Sequence, residues 1–288
     1  MEVEQDLLNR VLAANMMIQD DTMTISPQER QWAMEIKQAV NESEDLKPLT
    51  DFDYVQYAMV TLGNTQEALF RIAGMQAFRE EYGIDNSVEQ AVDHLDRAMQ
   101  MLPGFILHLD NCPHTNEAIM VWDASVCYPQ RILSINPDHG PDHNWKTYVV
   151  AHYYMTLASQ PTLFSVRDGL TLLIDCGQVG WENVSMDFQR RMNDELRGFY
   201  PLKWKRILAY NTAVIANVGW SLFKQFMSPH MRESLKLGCQ VAGSQSETRL
   251  CQLFLQPSLE GAKDNILGRF RTLLLLRHQK AMRFRLDR

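Results

Sequence analysis

The feature that most constrains the fold is a stretch of forty residues, 199–238, whose hydrophobic period changes from strand to helix and back. The residue before Pro201 is disfavoured in the helical region, so any preceding helix ends there. Residues 202–210 alternate apolar and basic side chains and then continue as an apolar run, which predicts a buried strand. Residues 213–227 have helical spacing with one broad apolar face, and residues 235–238 favour another short strand.

The order of markers along this stretch resembles the CRAL-TRIO lipid-binding family. That family has an aromatic–proline pair, a strand ending in asparagine, an amphipathic helix ending near Lys-x-Phe, a serine- or threonine-rich turn and a strand ending in glycine. The matching residues are Tyr200, Pro201, Asn211, Lys224, Phe226, Ser228, Pro229 and Gly238. In that family the helix is a mobile gate over a cavity that holds one lipid. An ordinary strand–helix–strand crossover is the alternative that periodicity alone leaves open.

The resemblance covers about residues 51–261 and implies an α/β fold. We expect an all-helical N-terminal subdomain, then a CRAL-TRIO-like, mostly parallel sheet flanked by helices, with a mobile gate helix over a hydrophobic cavity. The expected divisions are an N-terminal helical extension at 1–47, the helical subdomain at 48–104, the lipid-binding domain at 105–261 and a basic C-terminal helix at 262–288.

Helix starts in the first hundred residues are marked by capping residues, each followed three positions later by a carboxylate. The pairs are Ser26 with Glu29, Thr50 with Asp53, Asn64 with Glu67 and Asn86 with Glu89, and the stop signals are Gly63, Gly83 and Gly104. Beyond residue 104 the pattern changes to strands and helices in alternation. Strands are predicted at 105–109, 118–122 and 170–174, and helices at 145–158 and 186–198.

The net charge of −7 is unevenly distributed along the chain. Residues 1–45 carry ten carboxylates against three basic residues, whereas residues 261–288 carry eight basic residues against two acidic ones. Residues 265–286 therefore predict a basic helix with an apolar side. Such a helix can lie on an anionic membrane, or it can pack on the domain while its charges meet the acidic N-terminal segment. The continuous run from Leu273 to Leu276 favours the packed alternative slightly.

The sequence has none of the nucleophile-elbow, phosphate-loop, dinucleotide-loop or zinc-helix motifs, which favours a binding protein that needs no cofactor over an enzyme. Two Asp–His pairs at 138–143 are more typical of a solvated turn than of a metal site. Five cysteines without a Cys-x-x-Cys pair favour reduced thiols. The acidic N-terminus lacks a signal-peptide pattern, and no apolar run is long enough to span a bilayer. We therefore expect a monomeric, cytoplasmic protein without a nucleic-acid partner.

A lipid cavity needs apolar walls, a few polar groups that orient the ligand, and an entrance. The helix at 145–158 places an aromatic and polar stripe on one side, with a packed core histidine as the alternative interpretation. Together with positions implied by the family resemblance, the expected ligand-binding residues are Tyr148, His152, Met155, Thr156, Leu170, Leu172, Ile174, Leu196, Tyr200, Leu202, Trp204, Ile207, Ile215, Val218, Leu222, Phe223 and Phe226.

Within the family, the residues that hold an inositol phosphate in the phosphatidylinositol-transfer branch are replaced by Leu202, Met231 and Ser234. The sequence after Pro201 instead resembles the branch of α-tocopherol transfer protein and retinaldehyde-binding protein. That resemblance implies a small hydrophobic lipid as cargo and peripheral contact with anionic, phosphoinositide-containing membranes. The expected membrane-contacting residues are Lys203, Lys205, Arg206, His230 and Arg232.

Two functions remain open from the sequence. The first is non-enzymatic binding of a tocopherol-sized or retinoid-sized lipid and its transfer between membranes. The second is a membrane or protein adaptor that uses the same fold without transferable cargo. A stoichiometric lipid in the purified protein would distinguish them.

Overall fold

The computed structural model describes residues 25–85, 87–111, 118–140, 142–196, 199–210, 235–237 and 262–286. Four helices precede the first strand: α1 (Pro27–Glu42), α2 (Asp51–Thr61), α3 (Thr65–Tyr82) and α4 (Val88–Met101). The following elements are β1 (Ile106–Asn111), β2 (Ala118–Asp123), α5 (Pro129–Leu133), α6 (His143–Ser159), α7 (Leu163–Asp168), β3 (Leu170–Asp175), α8 (Met186–Leu196), β4 (Trp204–Tyr210), β5 (Leu235–Leu237) and α9 (Ala262–Arg283). Short 3-10 turns lie at Ala124–Val126 and Trp181–Asn183.

Most helix starts form at the residues that the capping pattern predicts. Ser26 and Glu29 form a reciprocal capping box at α1, with N···O distances of 3.1 and 2.7 Å. The side chains of Thr50 and Asn64 cap α2 and α3. The fourth start was predicted one residue early, because the cap of α4 is Ser87, whose hydroxyl accepts from the Gln90 amide at 3.0 Å.

The strands form one mixed sheet in the order β1-β2-β3-β4-β5. β1 and β2 are antiparallel, and the three other neighbouring pairs are parallel, which confirms the expected α/β class with its mostly parallel sheet. The observed strands agree with the predicted ones to within two residues. Helix α6 begins at His143, two residues before the predicted start, and α8 is described as far as Leu196, so its predicted end at residue 198 lies outside the described residues.

Side chains on one face of the sheet belong to the central hydrophobic cluster. This face is represented by Met120, Leu172 and Ile207, which are cross-strand partners in register. The adjacent row, Val121 with Leu173 and Leu208, points to the opposite face because successive strand residues alternate. That second row is also fully buried but belongs to neither of the two hydrophobic clusters formed by described residues.

The central cluster extends beyond the sheet to the end of α3, to α4, to α6 and to α9. A second cluster joins α1, α2, the start of α3 and α7 with Phe284 and Leu286 at the C-terminal end. Side chains on both sides of residue 104 thus share one core, as do those on both sides of residue 261. The four-part division of the chain stays a prediction, and the hydrophobic packing crosses two of its boundaries.

Helix α9 packs its apolar side into the protein. Ile266, Phe270, Leu273 and Leu274 are buried in the central cluster. Arg277 pairs with Asp53 of α2 at 2.6 Å. Beyond the helix, the Leu286 amide donates to Asp51 at 3.1 Å, and Arg30 of α1 donates to the Leu286 carbonyl. The apolar side of α9 is therefore not available to a bilayer in this conformation, whereas Arg271, Arg283 and Arg285 remain exposed.

Within the described ranges, no helix has both the length and the hydropathy needed to cross a membrane.

Candidate functional site

The predicted cavity wall on the sheet is brought together on the face that meets α6. Leu170, Leu172 and Ile207 are buried there, with Ile174 half-buried beside them. From α6, Tyr148 and Met155 pack into the same cluster. The strands and the helix thus contribute to one continuous apolar surface. This convergence is a consequence of strand alternation combined with helical spacing on α6.

An irregularity in β4 places two predicted residues on this face. Trp204 pairs with Leu170, but the next partner of Thr171 is Arg206, so the register shifts at Lys205. An extra residue of this kind is a β-bulge, which bends the strand and changes the direction of the side chains that follow. Trp204 and Ile207, three positions apart, therefore pair with Leu170 and Leu172 on the same face, and the strand predicted from Leu202 begins only at Trp204. Leu202 and Trp204 are half-buried against the central cluster, while Lys205 is exposed, and the assignment of the two apolar residues as ligand contacts stays a prediction.

His152 of α6 lies at the centre of an aromatic cluster on this face. Its ring centroid is 5.6 Å from that of Trp122, 6.3 Å from that of Tyr148 and 6.5 Å from that of Tyr200. Trp122 lies near the carboxyl end of β2, beside its cross-strand partner Ile174 of β3. We call Trp122, Tyr148, His152 and Tyr200 the histidine cluster.

Three polar atoms of the histidine cluster are shielded from solvent and have no hydrogen-bond partner in the described structure. They are Trp122 Nε1, His152 Nδ1 and Tyr200 Oη. A buried polar group without a partner costs about 1–3 kcal/mol, so most such groups in folded proteins are satisfied. Three of them on neighbouring rings form a place where an additional polar group would be stabilised.

The histidine cluster is electrically neutral at physiological pH. Burial lowers the pKa of His152 from 6.5 to about 4, so the imidazole is uncharged. Burial also raises the pKa of Tyr148 and of Tyr200 well above 10, with smaller contributions from Cys127 and from Tyr153 and Glu195 respectively. The rings can therefore donate and accept hydrogen bonds but cannot neutralise an ionic group.

A carboxyl group lies near this cluster, but it is already engaged. Glu195 accepts from Trp145 Nε1 at 2.8 Å and from Arg191 Nε at 3.1 Å. Burial, together with the nearby Glu81, raises its pKa to about 7. The carboxyl group therefore belongs to the contact between α8 and α6.

Two hydroxyls of the predicted stripe are used inside the helix. Thr156 donates to the His152 carbonyl at 3.0 Å, and Ser159 donates to the Thr156 carbonyl at 2.7 Å. Serine and threonine inside a helix commonly bond to the preceding turn in this way. Thr156 is buried as expected, but its proton is not available to a ligand. Its oxygen can still accept a hydrogen bond, so its assignment as a ligand-binding residue stays a prediction.

Trp122 is the cluster residue that the sequence analysis missed. Its segment was recognised as a strand, but nothing in the sequence states which strand lies next to β3. The available signal was a tryptophan at the end of an apolar strand, because a buried indole N–H usually needs a hydrogen-bond acceptor.

The predicted membrane-contacting residues are used differently from one another. Lys203 Nζ donates to the Arg167 carbonyl at 2.8 Å, and Arg206 Nε donates to Thr171 Oγ1 at 3.1 Å. Both side chains are half-buried, so they connect parts of the protein. Of the three that the structure describes, Lys205 is the one that is exposed.

Several predicted residues lie outside the described residues. They are the gate helix at 213–227 with Ile215, Val218, Leu222, Phe223 and Phe226, then His230 and Arg232, and the side chain of Leu196. Their assignments stay predictions. The acidic segment 1–24 and the predicted end of the domain at residue 261 also lie outside.

The loop with two Asp–His pairs forms a turn in which the rings of His139 and His143 stack at 4.3 Å. In the parts of the chain that the structure describes, no group of three or more His, Cys, Asp or Glu side chains could hold a metal ion. The stacked pair by itself supplies only two ligands.

Comparison with known proteins identifies the segment that contains this site. Residues 115–241 match the model of the CRAL/TRIO domain family. The chain contains a CRAL/TRIO domain. This match confirms the family recognised from residues 199–238, while the tocopherol and retinaldehyde branch stays a prediction. A search of curated protein sequences finds no significant match to the chain. The solved structure described as "Crystal structure of Sfh5" has a TM-score of 0.47 and 11% sequence identity, covering 82% of this chain and 80% of that chain.

The CRAL/TRIO domain includes all four residues of the histidine cluster and strands β2 to β5. Helices α1 to α4 and α9 lie outside the matched residues. The central cluster joins both groups of elements, so the helices outside the match contribute to the packing behind the site.

Proposed function

We propose that the protein binds one neutral, hydrophobic lipid against the α6-facing side of the sheet and transfers it between membranes. CRAL/TRIO proteins are in general lipid-binding carriers rather than enzymes, and the domain match supports this at the level of the family. The observation that carries the finer proposal is the histidine cluster, with its three unpartnered polar atoms on a surface that is otherwise apolar.

The chemistry of the cluster favours a lipid with a single uncharged polar group. Trp122 Nε1 can only donate a hydrogen bond, so the ligand must offer an acceptor such as a hydroxyl or carbonyl oxygen. His152 and Tyr200 can each donate or accept, so they can pair with either group. An ionised phosphate or carboxylate would lose its hydration without meeting a cation in the cluster, which is unfavourable by several kcal/mol. A tocopherol, a sterol or a retinoid satisfies these requirements.

The cargo would contact the half-buried side chains near the carboxyl ends of the strands. Trp122, Ile174 and His152 are half-buried, whereas Leu172 and Tyr148 are buried beneath them. Ligands of open α/β sheets commonly bind outside the carboxyl ends of the strands. The gate helix at 213–227 remains the proposed entrance, and Lys205 is the described candidate for contact with an anionic membrane.

The test is native mass spectrometry of the full chain after incubation with phosphatidylcholine vesicles that contain α-tocopherol or cholesterol. We expect one neutral lipid per chain. Retention of phosphatidylcholine alone would contradict the neutral class of ligand. Retention of no lipid at all would favour the adaptor function instead.

A matched pair of variants locates the binding surface. Ile174→Glu places a charge on the half-buried wall and is expected to abolish lipid retention, because a desolvated carboxylate is costly there. Ile135→Glu makes the same change at a side chain that is 71% exposed and is expected to retain the lipid. Equal retention by both variants, each verified to be folded by circular dichroism, would place the cargo elsewhere.

A further inference from the structure

A separate cavity lies where the N-terminal helices meet α6 and α9. Its volume is about 150 Å³, and its wall includes side chains from α2, α3, α4, α6 and α9. The polar part of the wall contains Thr50, Asp53, Arg79, Ser87 and Arg277. We call this space the junction cavity. None of the four residues of the histidine cluster lines it.

Arg277 of α9 is the most unusual residue of this wall. Only 9% of its surface is exposed. Its Nη2 donates to Asp53 Oδ1 at 2.6 Å, and its guanidinium carbon lies 5.1 Å from the centre of the Phe52 ring. Its Nη1 is shielded from solvent and has no hydrogen-bond partner among the described residues. A buried guanidinium with an unmet N–H group is expensive, and an anionic oxygen is the acceptor that would offset this cost most strongly.

The remaining polar wall also favours negative charge. Thr50 is the N-cap of α2 and Ser87 is the N-cap of α4, so two helix N-termini border the cavity. Helix N-termini carry partial positive charge and are common phosphate-binding positions. Arg79 adds a second guanidinium to the wall. Asp53 is the one carboxylate of the wall, and it is engaged by Arg277 and by the Thr50 hydroxyl at 2.6 Å.

We propose that the junction cavity binds a small phosphate-bearing anion, either inorganic phosphate or the phosphate group of a small ester. Its volume corresponds to about ten water positions, which suits such an anion and excludes a diacyl phospholipid. Because the wall combines α2, α3 and α4 with α9, the bound anion would hold the helices outside the CRAL/TRIO domain together. This site is independent of the lipid proposal.

The test is isothermal titration calorimetry of the full chain with inorganic phosphate and with glycerol 3-phosphate, with potassium chloride at matched ionic strength as the control. We expect saturable binding of at least one of the two phosphates and a higher unfolding temperature in its presence, because a ligand of the folded state stabilises it. Tighter binding of glycerol 3-phosphate would identify an ester as the natural source. Phosphatidic acid vesicles are titrated in parallel. Binding of neither soluble phosphate, with or without binding to these vesicles, would overturn the proposal.

Variants locate the bound anion. The double variant Arg277→Met with Asp53→Asn removes the Arg277 guanidinium without leaving an unpaired carboxylate. The variant Arg79→Gln removes the second guanidinium and leaves the pair of Arg277 with Asp53 intact. Each is expected to weaken phosphate binding by about tenfold or more. Arg97→Gln changes an arginine that does not line the cavity and is half-exposed, with 48% of its side chain accessible, and is expected to bind phosphate as the wild type does. Unchanged affinity in both cavity variants would show that the anion binds elsewhere.

Discussion

The histidine cluster and the junction cavity each have at least one buried polar atom without a partner among the described residues, but the two places differ in charge. In the cluster the groups are an indole, which does not ionise, an imidazole and a phenol, and burial favours the neutral form of the imidazole and the phenol. In the cavity the atom is Nη1 of Arg277, whose guanidinium stays charged at any physiological pH. A buried polar atom without a hydrogen-bond partner therefore favours a different class of ligand in each place, an uncharged lipid oxygen at the histidine cluster and an anion in the junction cavity.

The two sites also differ in how far neighbouring groups compensate the free-energy cost of burying a polar or charged group. Around the histidine cluster the described neighbours are mostly aromatic and aliphatic, and the nearby Glu195 carboxyl is already engaged by Trp145 and Arg191, so a charge that arises there is poorly compensated. Around Arg277, the Asp53 carboxylate and the Phe52 ring already stabilise the positive charge of the guanidinium. Removing a group should consequently affect stability strongly in the cavity and weakly in the cluster.

The largest effect is expected for Arg277→Met. This change removes the buried partner of Asp53, which costs about 3–5 kcal/mol in fully buried pairs. Because the Asp53 side chain is 24% exposed and keeps the hydrogen bond from Thr50, a cost of about 3 kcal/mol or less is expected. Urea unfolding of the full chain measures it. In an Asp53→Asn background the same substitution should cost much less, since no carboxylate is left unpaired. An equal cost in both backgrounds would mean that the ion pair is not what the substitution disrupts.

Acidification is expected to destabilise the protein through His152. In the unfolded chain the imidazole takes up a proton below about pH 6.5, whereas in the folded protein it stays neutral down to about pH 4. The unfolded state binds more protons in this window, so stability falls as the pH falls, by about 3 kcal/mol in total.

Urea unfolding from pH 8 to pH 4, compared between the wild type and His152→Phe, isolates this contribution from that of other groups. The variant should lose less stability over the window. Parallel pH profiles for the two proteins would show that His152 is not held neutral by its surroundings, and the contrast in charge between the two sites would fail.

Removal of a single hydroxyl separates a ligand-binding group from a structural one. Tyr200→Phe removes an unpartnered hydroxyl, so stability should stay the same or rise by about 1 kcal/mol, while affinity for the neutral lipid falls about tenfold. Tyr154→Phe removes a hydroxyl that donates to Gln90 at 2.5 Å, so stability should fall by about 1 kcal/mol with unchanged lipid affinity. Lipid retention and urea unfolding of both variants distinguish these outcomes, and the reverse pattern would remove Tyr200 from the site.

The smallest effect concerns two lysines that belong to neither site. Lys203→Gln should destabilise the protein by about 1 kcal/mol, because it loses the hydrogen bond to the Arg167 carbonyl. Lys205→Gln should change stability by less than about 0.5 kcal/mol and reduce binding to anionic vesicles by about 1 kcal/mol. Vesicle co-sedimentation with neutral and anionic lipid checks this. Equal vesicle binding by wild type and Lys205→Gln would exclude Lys205 as a membrane contact.

Much of the fold could be predicted from local sequence signals. The capping residues placed the starts of α1, α2 and α3, and hydrophobic alternation placed β2 and β3, because these features depend on residues only a few positions apart. At α4 the sequence offered two adjacent capping residues, Asn86 and Ser87. In the structure Ser87 is the cap. The Gln90 side chain donates to the Gly83 carbonyl and accepts from the Asp85 backbone amide, and both hydrogen bonds depend on the geometry of the turn.

The candidate site was only partly predictable for the same reason. Spacing on α6 identified Tyr148 and His152, and the resemblance to the family added Tyr200 and the apolar residues of β3. The bulge at Lys205, the carbonyl partner of Lys203 and the place of Trp122 beside Ile174 depend on which strands become neighbours. No local pattern contains that information.

The sequence by itself determined most helix starts, the strands to within two residues, the mostly parallel α/β class and the family, since each rests on short-range periodicity or on ordered markers along the chain. The tertiary structure decided which polar groups are buried without partners, and therefore where charge is tolerated. The contacts of His152 with Trp122 and Tyr200 connect residues far apart in sequence, and so does the ion pair of Arg277 with Asp53. Desolvation and ion pairing act through space, so their outcome is fixed only when α6 meets the sheet and α9 meets α2.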